Sequence, residues 1–236
     1  MIPDSLSRYI PQFRLEEIQK DGQIKLVNSR ILIVGCGALG SSIAMYLAGA
    51  GIGNIVIADY DTIEISNLHR QVFYSENEVG QFKVDCLKEK MLALNSEVNI
   101  DAVKSLITRK FLDSDSRFDL IVDAADNPAT TYMLNDFCSH HSIPFSTAGV
   151  SEWKAQVFTY LPGSFSFKDI FPSPDSETSI SLPCQLVGII GPIASFAASI
   201  QSINIIQVLV GAAGNSSSLI YADFRSGIIK KIEGQI

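Results

Sequence analysis

A chain of 236 residues, 47% hydrophobic and 18% charged, can bury one large core and is globular, not disordered. Its 18 Lys and Arg against 25 Asp and Glu leave a net charge of −7, which argues against a general binder of nucleic acid or anionic membranes. An anionic ligand must then be held by a few local cations and by backbone N–H groups.

In chain order, residues 1–29 read as a mixed-charge leader, with short helical pieces predicted at Leu15-Glu16-Glu17-Ile18 and Ile24-Lys25-Leu26-Val27. Met1-Ile2-Pro3-Asp4-Ser5 lacks the basic and apolar regions of a signal peptide. The apolar run Ile31-Leu32-Ile33-Val34 predicts a strand over Arg30–Val34. The turn Gly35-Cys36-Gly37-Ala38-Leu39-Gly40 follows, then a helix over Ala38–Ala50 stopped by Gly51 and Gly53. A second strand, Ile55–Ala58, ends at Asp59. The polar stretch from Asp61 to Gly80 is too long for a minimal connection, which marks it as functional. Val84, Leu87, Met91 and Leu94 predict a helix over Lys83–Leu94.

Further strands are expected at Val98–Val103 and at Leu120-Ile121-Val122, the latter running into Asp123-Ala124-Ala125-Asp126-Asn127. Pro128 suits the first turn of a helix reaching His140, with a fifth strand around Pro144–Ser146. Then the pattern changes. Gln156–Leu161 reads as a strand with no crossover helix before it, and residues 162–184 as a Pro/Ser/Asp-rich mobile loop. Leu186–Val210 carries no charge and is long enough to cross a bilayer. Gln201, Asn204 and Gln207 interrupt it and no Lys/Arg cluster flanks it, so a buried helix is expected. A hairpin of Leu219–Phe224 and Ile228–Ile232 closes the chain.

These elements predict an α/β fold. Its core is a Rossmann-like, doubly wound, mostly parallel sheet, extended by C-terminal antiparallel strands and accompanied by one long apolar helix. One unit over 1–236 is expected, divided into the leader 1–29, a nucleotide-binding βα region 30–150 and a C-terminal extension 151–236. Cys36, Cys86, Cys138 and Cys184 are far apart, with no CxxC pair, which fits a reducing cytoplasm. The first three fall inside elements and read as core. His69, His140 and His141 have no ligand-like spacing.

The glycine turn lets the N–H groups of a helix N-terminus approach phosphate, and a carboxylate at Asp59 can accept from a ribose diol. These features alone point to a dinucleotide such as NAD. Ser66-Asn67-Leu68-His69-Arg70-Gln71 shifts that reading. The Arg70 guanidinium can fork onto phosphate oxygens, the Asn67 amide can donate to them, and Lys83 can reach a β- or γ-phosphate. A dehydrogenase has no need of this cationic pair, whereas a triphosphate does. Asp126 then fits a Mg²⁺ ligand, with Asn127 better placed to cap the following helix.

The run from Leu32-Ile33-Val34-Gly35 through Ser66-Asn67-Leu68-His69-Arg70-Gln71, Gly80-Gln81-Phe82-Lys83-Val84 and Asp123-Ala124-Ala125-Asp126-Asn127 resembles the ThiF/MoeB/HesA family. These proteins are bacterial relatives of ubiquitin-activating enzymes. The similarity continues through Gly188-Ile189-Ile190-Gly191-Pro192 and the long helix. The resemblance implies adenylation, with ATP and Mg²⁺, of the C-terminal Gly-Gly carboxylate of a small ubiquitin-like sulfur carrier, by a homodimer in the cytoplasm. Thiamine or molybdopterin synthesis is the implied setting.

Carried over by position, Asp59 holds the ribose, and Asn67, Arg70 and Lys83 hold the phosphates. Asp126 holds the metal, and the backbone of Gly35, Gly37, Ala38 and Gly40 packs on adenosine. Asp61, Ser66 and Asn127 complete the expected nucleotide contacts. Cys184 matches the position that can link covalently to the carrier. Arg70, Lys83, Asp126 and Cys184 are thus the expected catalytic set.

Three departures stand out. Ser166 and Asp169 occupy the place of a zinc-binding CxxC pair, and the chain ends at Ile236 before a second pair, so no zinc site is expected. Pro11, in Arg8-Tyr9-Ile10-Pro11-Gln12, replaces an arginine that reaches the neighbouring subunit's triphosphate, with Arg8 and Arg14 as possible substitutes. Ala38 replaces a glycine. An NAD-dependent oxidoreductase on the same fold and a non-catalytic homologue that binds a carrier-like partner remain as alternatives.

Overall fold

The computed structural model describes residues 4–115, 117–172 and 188–233. Two short 3-10 turns, Asp4–Tyr9 and Gln12–Arg14, precede helix α1 (Gln19–Asn28). The elements that follow are β1 (Arg30–Val34), α2 (Ala38–Ala50), β2 (Asn54–Ala58), α3 (Lys83–Leu94), β3 (Asn99–Val103), α4 (Arg109–Ser114), β4 (Leu120–Asp123) and α5 (Pro128–His141). The C-terminal elements are β5 (Phe145–Ser151), β6 (Lys154–Tyr160), α6 (Phe167–Ile170), α7 (Gly191–Val210), β7 (Ser218–Asp223) and β8 (Ile228–Glu233).

All strands join one eight-stranded sheet in the order β3-β2-β1-β4-β5-β6-β7-β8. β3 to β5 pair in parallel, and β6, β7 and β8 add on antiparallel. Both faces of the central strands are covered, which is why β1 reads as an unbroken apolar run. Ile31 and Ile33 pack with α2, α3 and α7, whereas Leu32 and Val34 pack with Leu134 and Phe137 of α5 and with Phe158. Strand order reverses between β1 and β4, and the C-terminal ends of these strands open a crevice there.

Several boundaries differ from the sequence expectation. Leu15–Ile18 is a single turn, closed by Ile18 and Gln19 N–H groups donating to the Leu15 carbonyl, because four residues cannot propagate a helix before α1 begins. α4 had no periodic signal: it is six residues long, buries only Leu112 and is capped by the Thr108 hydroxyl. β5 runs on to Ser151 because its small, polar second half pairs with β6 out to Ser151–Lys154. Within the expected loop, residues 167–170 form α6. The Asp169 carboxylate accepts from the Ser166 N–H at 2.7 Å and its hydroxyl at 2.9 Å, and Phe167 stacks among Tyr132, Phe158 and Phe171.

α7 starts at Gly191, with Pro192 in its first turn. It is long and apolar enough to cross a membrane by length and composition. Ile193, Ala194, Ala197, Ala198, Gln201 and Ile205 recur at helical spacing and are buried, packed with α2 and the sheet. Ile203, on another side of the helix, is 52% exposed.

Candidate functional site

A cavity of about 850 Å³ lies over the crevice at the C-terminal ends of β1, β2 and β4 and reaches β5 and β6. Gly35, Gly37, Ala38, Asp59, Asp61, Asn67, Arg70, Lys83, Asp126 and Asn127 all line it. Gly40 and Ser66 do not.

The turn after β1 is bare for steric reasons. Gly35 has φ +94°, and a Cβ there would stand 2.6 Å from the Ala124 carbonyl oxygen. A Cβ on Gly40 would stand 1.8 Å from the Gly35 carbonyl oxygen, so Gly40 serves helix packing and not the cavity wall. Ala38 is the first residue of α2 and has negative φ, so its methyl group is tolerated. Among the described residues no side chain caps α2, leaving its first N–H groups for a ligand. Asp59 locks the turn. Its Oδ2 accepts from the Cys36 N–H at 2.7 Å and its Oδ1 from the Asp61 N–H at 2.9 Å. Each carboxylate oxygen keeps further acceptor capacity, enough for a ribose diol.

The cationic side of the cavity is held by side chains. Lys83 is buried, and its Nζ donates to Asp61 Oδ2 at 2.8 Å. Arg70 donates to Asn67 Oδ1 at 2.7 Å and to the Ser66 carbonyl at 3.3 Å. His69 Nε2 lies 2.8 Å from Arg70 Nη1. The sequence reading gave His69 no role. Its place beside Arg70 in the chain is the signal that could have found it. Ser66 contributes its carbonyl, while its hydroxyl contacts Glu64.

At the end of β4, Asp126 is exposed on the cavity and makes no hydrogen bond among the described residues. The carboxylate of Asp61, with lesser effects of burial, Asp126 and Asp59, raises the Tyr60 phenol above its usual value. Asn127 lines the cavity, but its Oδ1 accepts from the Thr130 N–H at 2.9 Å and caps α5. Asp123, which the sequence reading placed only as a strand end, is buried. It accepts from the hydroxyls of Thr131 at 2.6 Å and Thr147 at 2.8 Å. Burial raises its pKa above the ordinary range, opposed by these hydroxyls and the Ala125 N–H.

Cys184 lies outside the described residues. Cys36, Cys86 and Cys138 are buried, and burial pushes each thiol up, away from a reactive thiolate. Pro11 immediately precedes the turn Gln12–Arg14 and carries no charge. Arg8 donates to the Leu94 carbonyl at 2.6 Å, at the end of α3 opposite Lys83, and Arg14 is exposed.

A model of the ThiF family matches residues 9–234. The chain is 35% identical over 210 residues to the adenylyltransferase and sulfurtransferase MOCS3 of Dictyostelium discoideum, covering 88% of this chain and 49% of that protein. It is 32% identical over 233 residues to MOCS3 of Sus scrofa, covering 98% of this chain and 51% of that protein. The chain thus spans about half the length of the curated relatives it matches. A solved structure of E. coli MccB with AMPCPP and MccA superposes with a TM-score of 0.77 at 26% identity, covering 91% of this chain and 67% of that one.

Proposed function

The chain belongs to the ThiF family, and we propose from that premise that it is an ATP-dependent adenylyltransferase. Its substrate in this reading is the C-terminal Gly-Gly carboxylate of a small ubiquitin-like sulfur carrier. The observation that carries the reading is one cavity joining an uncapped helix N-terminus, a ribose-competent carboxylate and the pair Arg70 and Lys83. The MOCS3 relatives, named as adenylyltransferases, support the reaction class.

In this reaction a carboxylate oxygen of the carrier attacks the α-phosphorus of ATP. The bond from that phosphorus to the bridging oxygen breaks, and pyrophosphate leaves with the electron pair. The carrier retains an acyl-adenylate. The enzyme supplies no nucleophile for this step. Arg70 and Lys83 neutralise charge on the departing phosphates, and Asn67 and Asp59 orient the nucleotide. Arg70 must turn from Asn67 and His69, and Lys83 must share its charge with Asp61, when the triphosphate enters.

Mg²⁺ fits the donor set in one way. Among the described residues no cluster of three His, Cys, Asp or Glu could hold a metal alone, but Asp126 is a free carboxylate on the cavity. Magnesium habitually takes one or two carboxylates plus water and substrate phosphates, so Asp126 would hold the ion together with the triphosphate. There it would neutralise phosphate charge.

The finer parts of the proposal are a homodimer with α7 at or near the subunit contact, a carrier of thiamine or molybdopterin synthesis, a cytoplasmic setting and a covalent role for Cys184. The oxidoreductase alternative leaves Arg70, Lys83 and Asp126 without a task. Pro11 favours a second reading, a weakly active or non-catalytic carrier-binding homologue. Pro11→Arg is expected to speed adenylation, and an unchanged rate argues against that explanation. The primary test is intact mass spectrometry of Gly-Gly-tailed carriers incubated with enzyme, ATP and Mg²⁺. An added AMP on the carrier C-terminus is expected. NADH binding without ATP binding in fluorescence titration would instead favour the oxidoreductase.

A further inference from the structure

The cavity extends past the groups assigned to the nucleotide. Beyond Asp126, at the end of β4, it continues over β5, β6 and β7, which line it with Thr147, Gln156, Phe158, Leu219 and residues 148–150. Only two of these side chains are polar. The Thr147 hydroxyl is committed to Asp123. The Gln156 amide is half-buried and makes no hydrogen bond among the described residues, so its carbonyl oxygen and N–H groups stand open on an otherwise apolar wall. Gly149 decides where that amide lies. It pairs with Gln156 across β5 and β6, and a Cβ on it would stand 3.0 Å from Nε2, 3.4 Å from Cγ and 3.6 Å from Cδ of Gln156. Strand side chains ordinarily stand away from the sheet. This one is laid flat across β5, which carries its amide one strand nearer to β4 and Asp126.

The reaction constrains what arrives there. With the nucleotide over the ends of β1 and β2, the attacking carboxylate has the β5–β6 side left to come from. A Gly-Gly tail brings no side chains to this wall, only peptide groups, each with an N–H donor and a C=O acceptor. A primary amide offers the matching acceptor and donor at once. Resting on the carrier-adenylation reading above, we propose that Gln156 is a substrate-binding residue whose amide pairs with a peptide group of the carrier's Gly-Gly tail, with Gly149 leaving it the room to do so. A peptide group keeps its charge throughout the reaction. The pairing therefore holds substrate and transition state alike, and its loss shows in KM and not in kcat.

The test is steady-state adenylation by the full chain at saturating ATP, varying the Gly-Gly-tailed carrier on which wild type places AMP. Each variant is also titrated with ATP at equilibrium. Gln156→Leu, similar in size but without polar atoms, is expected to raise the carrier KM about 5- to 20-fold, the loss of one or two neutral hydrogen bonds, with kcat within about twofold of wild type and ATP affinity unchanged. Gly149→Ala should raise the carrier KM about 2- to 5-fold by pushing the amide aside, and should add nothing when combined with Gln156→Ala. An unchanged carrier KM in Gln156→Leu would overturn the proposal, as would a rise matched by an equal loss of ATP affinity, or a fall in kcat alone. Equal effects of Gly149→Ala with and without Gln156→Ala would overturn the part given to Gly149. If Gln156→Leu does not fold, Gln156→Ala decides by the same outcomes. A wild-type enzyme that places AMP on no Gly-Gly-tailed carrier overturns the carrier reading itself, which separates the two failures.

Discussion

The Gly35–Gly40 turn and the stretch from Asn67 to Lys83 face each other across one cavity, yet they are held in opposite ways. The turn is fixed by backbone sterics and by the Asp59 carboxylate, which ties Cys36 to Asp61. The cationic stretch is fixed by contacts among its own ligand-binding groups, Arg70 with Asn67 and His69, and Lys83 with Asp61. A nucleoside can therefore settle on a surface already formed, whereas a triphosphate must exchange internal bonds for its own. The first region should be intolerant in stability, and the second in activity.

The largest effect should come from the turn. Gly40→Ala places a methyl carbon 1.8 Å from the Gly35 carbonyl oxygen, so the backbone must move. A loss of roughly 4 kcal/mol or more is expected in urea melts, reflecting overpacking of a fixed backbone. Arg70→Ala should do the reverse. It should melt within about 0.5 kcal/mol of wild type, as a half-exposed substitution should, and should adenylate about 100- to 1,000-fold more slowly. A melt shift as large as that of Gly40→Ala would erase the distinction.

Asp61→Asn sharpens it. Asp61 is partly exposed and Lys83 is not, so a buried ammonium loses its partner. After allowance for solvent screening, the cost should be about 1 kcal/mol without nucleotide. Saturating ATP should recover much of it in thermal melts. An equal loss with and without ATP would mean that the phosphates never meet Lys83.

The smallest effect concerns Asp123, buried at the end of β4. Burial raises its pKa, so the folded protein binds this proton more tightly than the unfolded chain does. The linked stability is present below the unfolded value of about 3.9 and is lost as pH rises through the folded one. The melting-temperature advantage of wild type over Asp123→Asn should therefore be larger at pH 4 than at pH 7. A pH-independent difference would contradict this.

How far the sequence could be read follows the same division. The turn and the strands around it were legible because Gly35, Gly37 and Gly40 sit between an apolar run and a helix, a pattern of backbone geometry. The motif order also brought Asp59, Asn67, Arg70, Lys83 and Asp126 to one cavity. How these groups pair was not legible, because the Arg70–His69 and Lys83–Asp61 contacts depend on side-chain reach across turns. α4 escaped because a six-residue helix burying only Leu112 has no period to detect. Asp123 escaped because its hydroxyl partners, Thr131 and Thr147, lie on α5 and β5. The Ser166–Asp169 capping box shows another limit. A three-residue offset that suits a metal pair also suits a helix start, and only the structure shows the helix.

The central claim is that the cavity activates a carrier's C-terminal carboxylate with ATP. Pyrophosphate–ATP exchange against a panel of Gly-Gly-tailed carriers, with Arg70→Ala and Asp126→Ala alongside, tests it most directly. Exchange that requires a carrier and collapses in both variants is the predicted result. Undiminished exchange in both variants, or none with any carrier, would contradict it.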